Sequence, residues 1–92
     1  MTLQEVINKI FSLGFHWDTN MNGFFDLTYD RRLDGGFRYT DNHGWCFYNE
    51  DYENYIPVKE IEGISGNRES GITLFSTKGL IFNINVEMWP PD

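Results

Sequence analysis

Loop chemistry limits what this chain can fold into more than any other feature, because a strand that slips by one residue turns every side chain to the opposite face of its sheet. Asn22-Gly23 lies between two alternating runs, Phe15, Trp17, Thr19 and Phe25, Leu27, Tyr29. An Asn-Gly pair in that setting is a strong hairpin signal. A two-residue loop would set Trp17 opposite Thr28 and place Asp26 and Asp30 on the apolar face. A three-residue loop, Met21-Asn22-Gly23, with Gly23 left-handed in a G1 bulge, pairs Asn20 with Phe24 and sets Trp17 opposite Leu27. The second register makes the odd-numbered face apolar, and it is the one expected.

The same parity recurs downstream. Asn42-His43-Gly44 sets Asp41 opposite Trp45, so Phe37, Tyr39, Trp45 and Phe47 share a face, while Arg38, Thr40, Cys46 and Tyr48 take the reverse. Thr77-Lys78-Gly79 sets Ser76 opposite Leu80, which aligns Ile72 and Leu74 with Phe82, Ile84 and Val86. Only Phe75 and Ile81 break that division. Leu33-Asp34-Gly35 joins the second and third strands in matching parity. In residues 57–62, Pro57 and the charges Lys59, Glu60 and Glu62 suit a protected edge strand, although Val58 and Ile61 also fit a helical turn. Ser65 to Ser70 reads as a polar loop.

Thr2 and Glu5 form a capping-box pair ahead of Leu3, Val6, Ile7, Ile10, Phe11 and Leu13, and Gly14 follows as a stop. So short an amphipathic helix is marginal in water, and its apolar stripe needs a surface. The odd-numbered sheet face is expected to supply it. The expected fold is α+β within a single domain, 1–92. A helix at about 2–13 covers one face of an antiparallel meander of six to seven strands, at about 15–20, 24–31, 37–41, 45–49, 57–62, 71–76 and 80–87.

Seven basic against fourteen acidic side chains give a formal charge of −7. That charge repels nucleic-acid phosphates and favours a basic protein partner. A lone cysteine excludes an intramolecular disulfide and fits a reducing compartment. No stretch has the length of a membrane span, and residues 1–5 lack the basic start and apolar run of a secretory signal, so a soluble cytoplasmic protein is expected.

Between Asn49 and Tyr55 the carboxylates Glu50, Asp51 and Glu53 are interleaved with Tyr48, Tyr52 and Tyr55. Tyrosine is a favoured interface anchor, and neighbouring carboxylates steer a cationic surface toward it. Turned away from the expected core are His16, Asp18, Asn20, Phe24, Asp26, Asp30 and Arg38. With Phe24, Cys46 and Tyr48 outward among the acids, that face reads as a docking surface with an apolar centre and a charged rim.

Asp18, Asn20, Asn22, Gly23 and Asp26 resemble positions 1, 3, 5, 6 and 9 of an EF-hand calcium loop. Position 12 is Tyr29, where calcium loops carry a bidentate carboxylate, and the hairpin turn accounts for the same residues without an ion. His43 and Cys46 have a His-x-x-Cys spacing, but zinc needs three or four ligands and only His16 remains among the histidines. Cys46 lies mid-strand, without the base or helix N-terminus that activates a nucleophile. Glu60 and Glu62 share a strand face without a pocket around them. No phosphate-binding loop is present, no cofactor is implied, and the chain is not expected to be an enzyme.

These features point to an acidic interaction protein that inhibits a basic partner, as immunity or phage anti-defence proteins do. The expected contacts are Phe24, Tyr48, Glu50, Asp51, Tyr52, Glu53 and Tyr55. A structural domain acting through homo-oligomerisation, pairing at 57–62 or at Leu80 to Val86, is the second expectation. A weak calcium module at residues 18–29, using Asp18, Asn20, Asn22 and Asp26, is the third.

Overall fold

The computed structural model describes residues 1–49 and 54–90. The described residues form helix α1 (Leu3–Ser12), strands β1 (His16–Asp18), β2 (Gly23–Asp26), β3 (Arg31–Leu33), β4 (Gly35–Thr40), β5 (Gly44–Asn49) and β6 (Tyr55–Pro57), a 3-10 turn (Val58–Glu60), and strands β7 (Ile61–Asn67), β8 (Gly71–Ser76), β9 (Ile81–Ile84) and β10 (Val86–Met88). The fold is α+β and mostly sheet. The strands do not make one meander. They form three antiparallel sheets, β1-β2-β3-β10, β4-β5-β6 and β7-β8-β9, with β10 returning from the last hairpin to pair with β3.

The helix forms as its caps dictate. Thr2 Oγ1 accepts from the Glu5 amide at 3.1 Å, and Glu5 Oε1 accepts from the Thr2 amide at 2.9 Å. Those bonds to Thr2 hold the Glu5 carboxyl below the usual carboxylate range. Gly14, at φ +104°, ends the helix in a backbone conformation that side chains rarely adopt. The helix docks against β1, β7 and the 3-10 turn rather than on the face of a single sheet, burying Val6 and Ile10 completely.

Two hairpin registers depart from the loop-length expectation. In the first, Trp17 pairs with Phe24 and Asp18 with Gly23, so the loop is Thr19-Asn20-Met21-Asn22 and the left-handed residue is Asn22 (φ +54°), not Gly23. Asp18 Oδ1 accepts from the amides of Asn20 (2.9 Å) and Met21 (3.1 Å) and closes the turn itself. The expected strand 24–31 is cut by a second turn of the same construction. Asp26 Oδ1 accepts from the Thr28 amide at 3.1 Å, Asp30 is left-handed (φ +51°), and Phe25 pairs with Arg32. Leu27, expected in the core, is 71% exposed on that turn, and Tyr29 is exposed beside it. Leu33-Asp34-Gly35 is therefore a crossing between two sheets, where the Asp34 amide donates to the Asn85 carbonyl at 2.8 Å.

In the β4–β5 hairpin Thr40 pairs with Gly44 and Phe37 with Phe47, two residues from the expected register. An even shift preserves parity, so Phe37, Tyr39, Trp45 and Phe47 do share a face. The β8–β9 hairpin has the expected register, with Ile72 opposite Ile84, Leu74 opposite Phe82, and Gly79 left-handed at φ +82°. Residues 57–62 combine both readings: Pro57 ends edge strand β6, the 3-10 turn follows, and Ile61 opens β7. The polar loop shrinks to residues 68–70, because Ser65, Gly66 and Asn67 pair with β8.

The core draws on the helix and all three sheets, joining Val6, Ile10, Phe15, Phe24, Leu33, Phe47, Ile56, Val58, Ile61, Ile64, Ile72, Leu74 and Ile84. Phe24 is at its aromatic centre, edge-on to Trp17 (4.8 Å between ring centroids) and Phe37 (5.8 Å).

Candidate interaction surface

Each expected contact residue has a definite place. Phe24 is fully buried, because the first hairpin is three residues out of the expected register and its parity is reversed. It is a core residue and not a contact. Cys46 is also buried, with its thiol 3.8 Å from Thr40 Oγ1 and 3.7 Å from the Gly44 carbonyl. Glu50, Asp51, Tyr52 and Glu53 lie outside the described residues. The ends of that segment are defined: Tyr48 pairs with Tyr55 across β5 and β6 with rings stacked at 5.3 Å, and the Asn49 amide donates to the Asn54 carbonyl at 3.3 Å. Register thus gathers Tyr48 and Tyr55 on one face, with the Arg38 guanidinium 5.6 Å from the Tyr48 ring and His43 5.7 Å from Tyr55.

On the opposite face of the same sheet, Tyr39 and Trp45 extend past the core, edge-on to each other at 5.5 Å. Together with the outer stripe of the helix they make an apolar groove of about 240 Å³, lined by Leu3, Ile7, Phe11, Trp17, Phe37 and Trp45, with Asn22 at one side. Helical spacing puts Leu3, Ile7 and Phe11 in one row, beside the Val6 and Ile10 row that enters the core. The sequence pattern assigned all five to burial. It missed the groove because α1 sits beside the β4-β5-β6 sheet and not flat upon it. Phe11 and Trp45 remain 41% and 44% exposed.

The acidic face expected around Asp18, Asp26 and Asp30 is rearranged. Asp26 is 1% exposed and lies 3.4 Å from Arg31 and 3.9 Å from Arg68. Tyr29 packs beneath both guanidinium groups, at 5.0 and 5.6 Å. The resemblance to a calcium loop resolves into turn chemistry, since Asp18 closes its own turn and Asp26 faces two arginines. Among the described residues, no group of three or more His, Cys, Asp or Glu side chains is placed to hold a metal ion. Glu60 pairs with Lys78 at 3.1 Å, and Glu62 is exposed.

Among the described residues no helix is long and apolar enough to cross a membrane. No protein-family model matches the chain, and no curated protein or solved structure matches it.

Proposed function

We propose that this chain is a small acidic protein-binding domain that engages and inhibits a basic protein, one whose own cationic surface serves nucleic-acid binding, in the manner of immunity or phage anti-defence proteins. Disposition of charge carries the reading. Its cations are committed internally: Arg31 and Arg68 to Asp26, Arg32 to Glu87 at 3.3 Å and over the Trp89 ring, and Lys78 to Glu60. Glu5, Asp30, Asp41, Glu62 and Glu69 are exposed, so the −7 charge is presented outward. Tyr48 and Tyr55 bracket the acidic segment 50–53 and supply rigid apolar contact where carboxylates mimic a run of phosphates. The buried free thiol of Cys46 agrees with action in the reducing cytoplasm.

Affinity capture on the immobilised full chain tests this at about 0.1 M and 1 M salt, where the Debye length falls from roughly 10 Å to 3 Å. A partner of high isoelectric point retained only at low salt, and lost with Tyr48→Ala/Tyr55→Ala, is the expected result. Salt-independent capture, or capture of acidic proteins alone, refutes it.

A second reading, homo-oligomerisation, is favoured by one observation. Phe75 and Ile81 pair directly opposite one another and are both exposed, next to exposed Leu80, on the sheet whose edge is β9. Edge pairing between copies would cover them. Sedimentation mass rising with concentration in the parent, and constant in Ile81→Lys, is its signature.

A further inference from the structure

We infer that the groove between the helix stripe and the Trp45 side of β5 is a second docking surface, whose occupant is a segment of the basic partner carrying an aliphatic or aromatic anchor flanked by lysine or arginine. The inference rests on the basic-partner reading above and adds a site on the other face of the sheet. The anchor follows from the walls: Leu3, Ile7, Phe11, Trp17, Phe37 and Trp45 are apolar, and Asn22 alone offers polar atoms. At about 240 Å³ the space lies below the range of whole-ligand pockets and suits one or two buried side chains. Exposed aromatic residues around such a cleft are what interface cores are made of.

The flanks follow from charge complementarity. No charged residue lines the groove, whereas the elements that form it carry Glu5 in the first turn of α1, Asp18 next to Trp17, and Asp41 at the tip of the hairpin bearing Tyr39 and Trp45, against Lys9 alone on α1. Arg38 projects from the reverse face toward Tyr48. A cationic flank therefore meets attraction on three sides of an uncharged cleft. Charge also weighs against a second copy as occupant, because two chains of −7 each would bring −14 together around the groove.

The test uses the full chain and two synthetic peptides with the same leucine-tryptophan centre, one flanked by lysines and the other by glutamates. Titration is followed by amide NMR and calorimetry. The lysine peptide is expected to shift the amides of Ile7, Phe11, Trp17 and Trp45 and to bind at least about tenfold more tightly than the glutamate peptide. Phe11→Ser and Trp45→Ser, at exposed positions where far-UV dichroism should report an unchanged fold, are each expected to weaken it about tenfold. Lysine-peptide binding that is indifferent to both variants but lost in Tyr48→Ala/Tyr55→Ala overturns the groove and leaves the basic-partner reading standing. Equal binding of the two peptides overturns the cationic occupant and the charge argument with it. No binding of either peptide overturns the groove, and a parent mass that doubles with concentration but stays monomeric in Trp45→Ser assigns it to a second copy instead.

Discussion

Arg68 lies across Gly14. The arginine comes from the turn between β7 and β8, and the glycine ends α1, yet a Cβ on Gly14 would sit 2.6 Å from Arg68 Cγ. From there the guanidinium reaches Asp26 and the Tyr29 ring, so one side chain ties the helix end to the β2–β3 turn and to the last third of the chain.

Gly14→Ala should therefore be costly on two counts, a side chain at φ +104° and displacement of Arg68. A loss of about 1–3 kcal/mol is expected. Urea denaturation with an unchanged m-value measures it, and Arg68→Ala combined with Gly14→Ala should recover the steric share but not the backbone share.

Phe24→Ala should destabilise the chain by roughly 3–5 kcal/mol, as truncation of a buried aromatic does, whereas Leu27→Ala should remain within about 0.5 kcal/mol. The loop-length register would have made Leu27 the costlier truncation of the two. Thermal melts of both variants decide between the registers.

Asp26→Ala strands two arginines. Complete burial of such a pair makes its disruption cost about 3–5 kcal/mol, but the Arg31 and Arg68 side chains are 22% and 42% exposed. Solvent screening lowers the expectation to roughly 2 kcal/mol. Adding Arg31→Met should restore part of the loss, and a double-mutant cycle by chemical denaturation gives the coupling directly.

Glu5 titrates below the usual carboxylate range because its anion accepts from the Thr2 amide and hydroxyl. A lowered folded-state value means its contribution is complete above the unfolded value, about 4.3, and is lost as pH falls through the folded one. The stability of the parent and of Glu5→Gln, compared from pH 6 to pH 2.5, should differ by a constant amount at the upper end and by less at the lower.

Turn chemistry close to the chain was legible wherever its signal was local. Thr2 and Glu5 specify the helix start through atoms three residues apart, and Thr77-Lys78-Gly79 specifies the β8–β9 register. Asn22-Gly23 misled because the strong dipeptide concealed a repeated arrangement. Asp18 and Asp26 each close a four-residue loop that ends in a left-handed Asn22 or Asp30. That Asp-x-x-x-Asx pattern, eight residues apart, was visible in the sequence. Asp26 seemed unburiable only because its counterion Arg68 is 42 positions away along the chain.

Sequence alone determined the α+β class, the capped helix, the alternation within each strand and the surplus of acid, since these depend on neighbouring residues and on composition. Tertiary structure decided that the strands divide among three sheets, that β10 returns to β3, that Phe24 is core and Leu27 surface, and that Phe11 and Trp45 border an open cleft. The reason is physical: periodicity says which side chains share a face, but which face is buried depends on what distant segments lie against it.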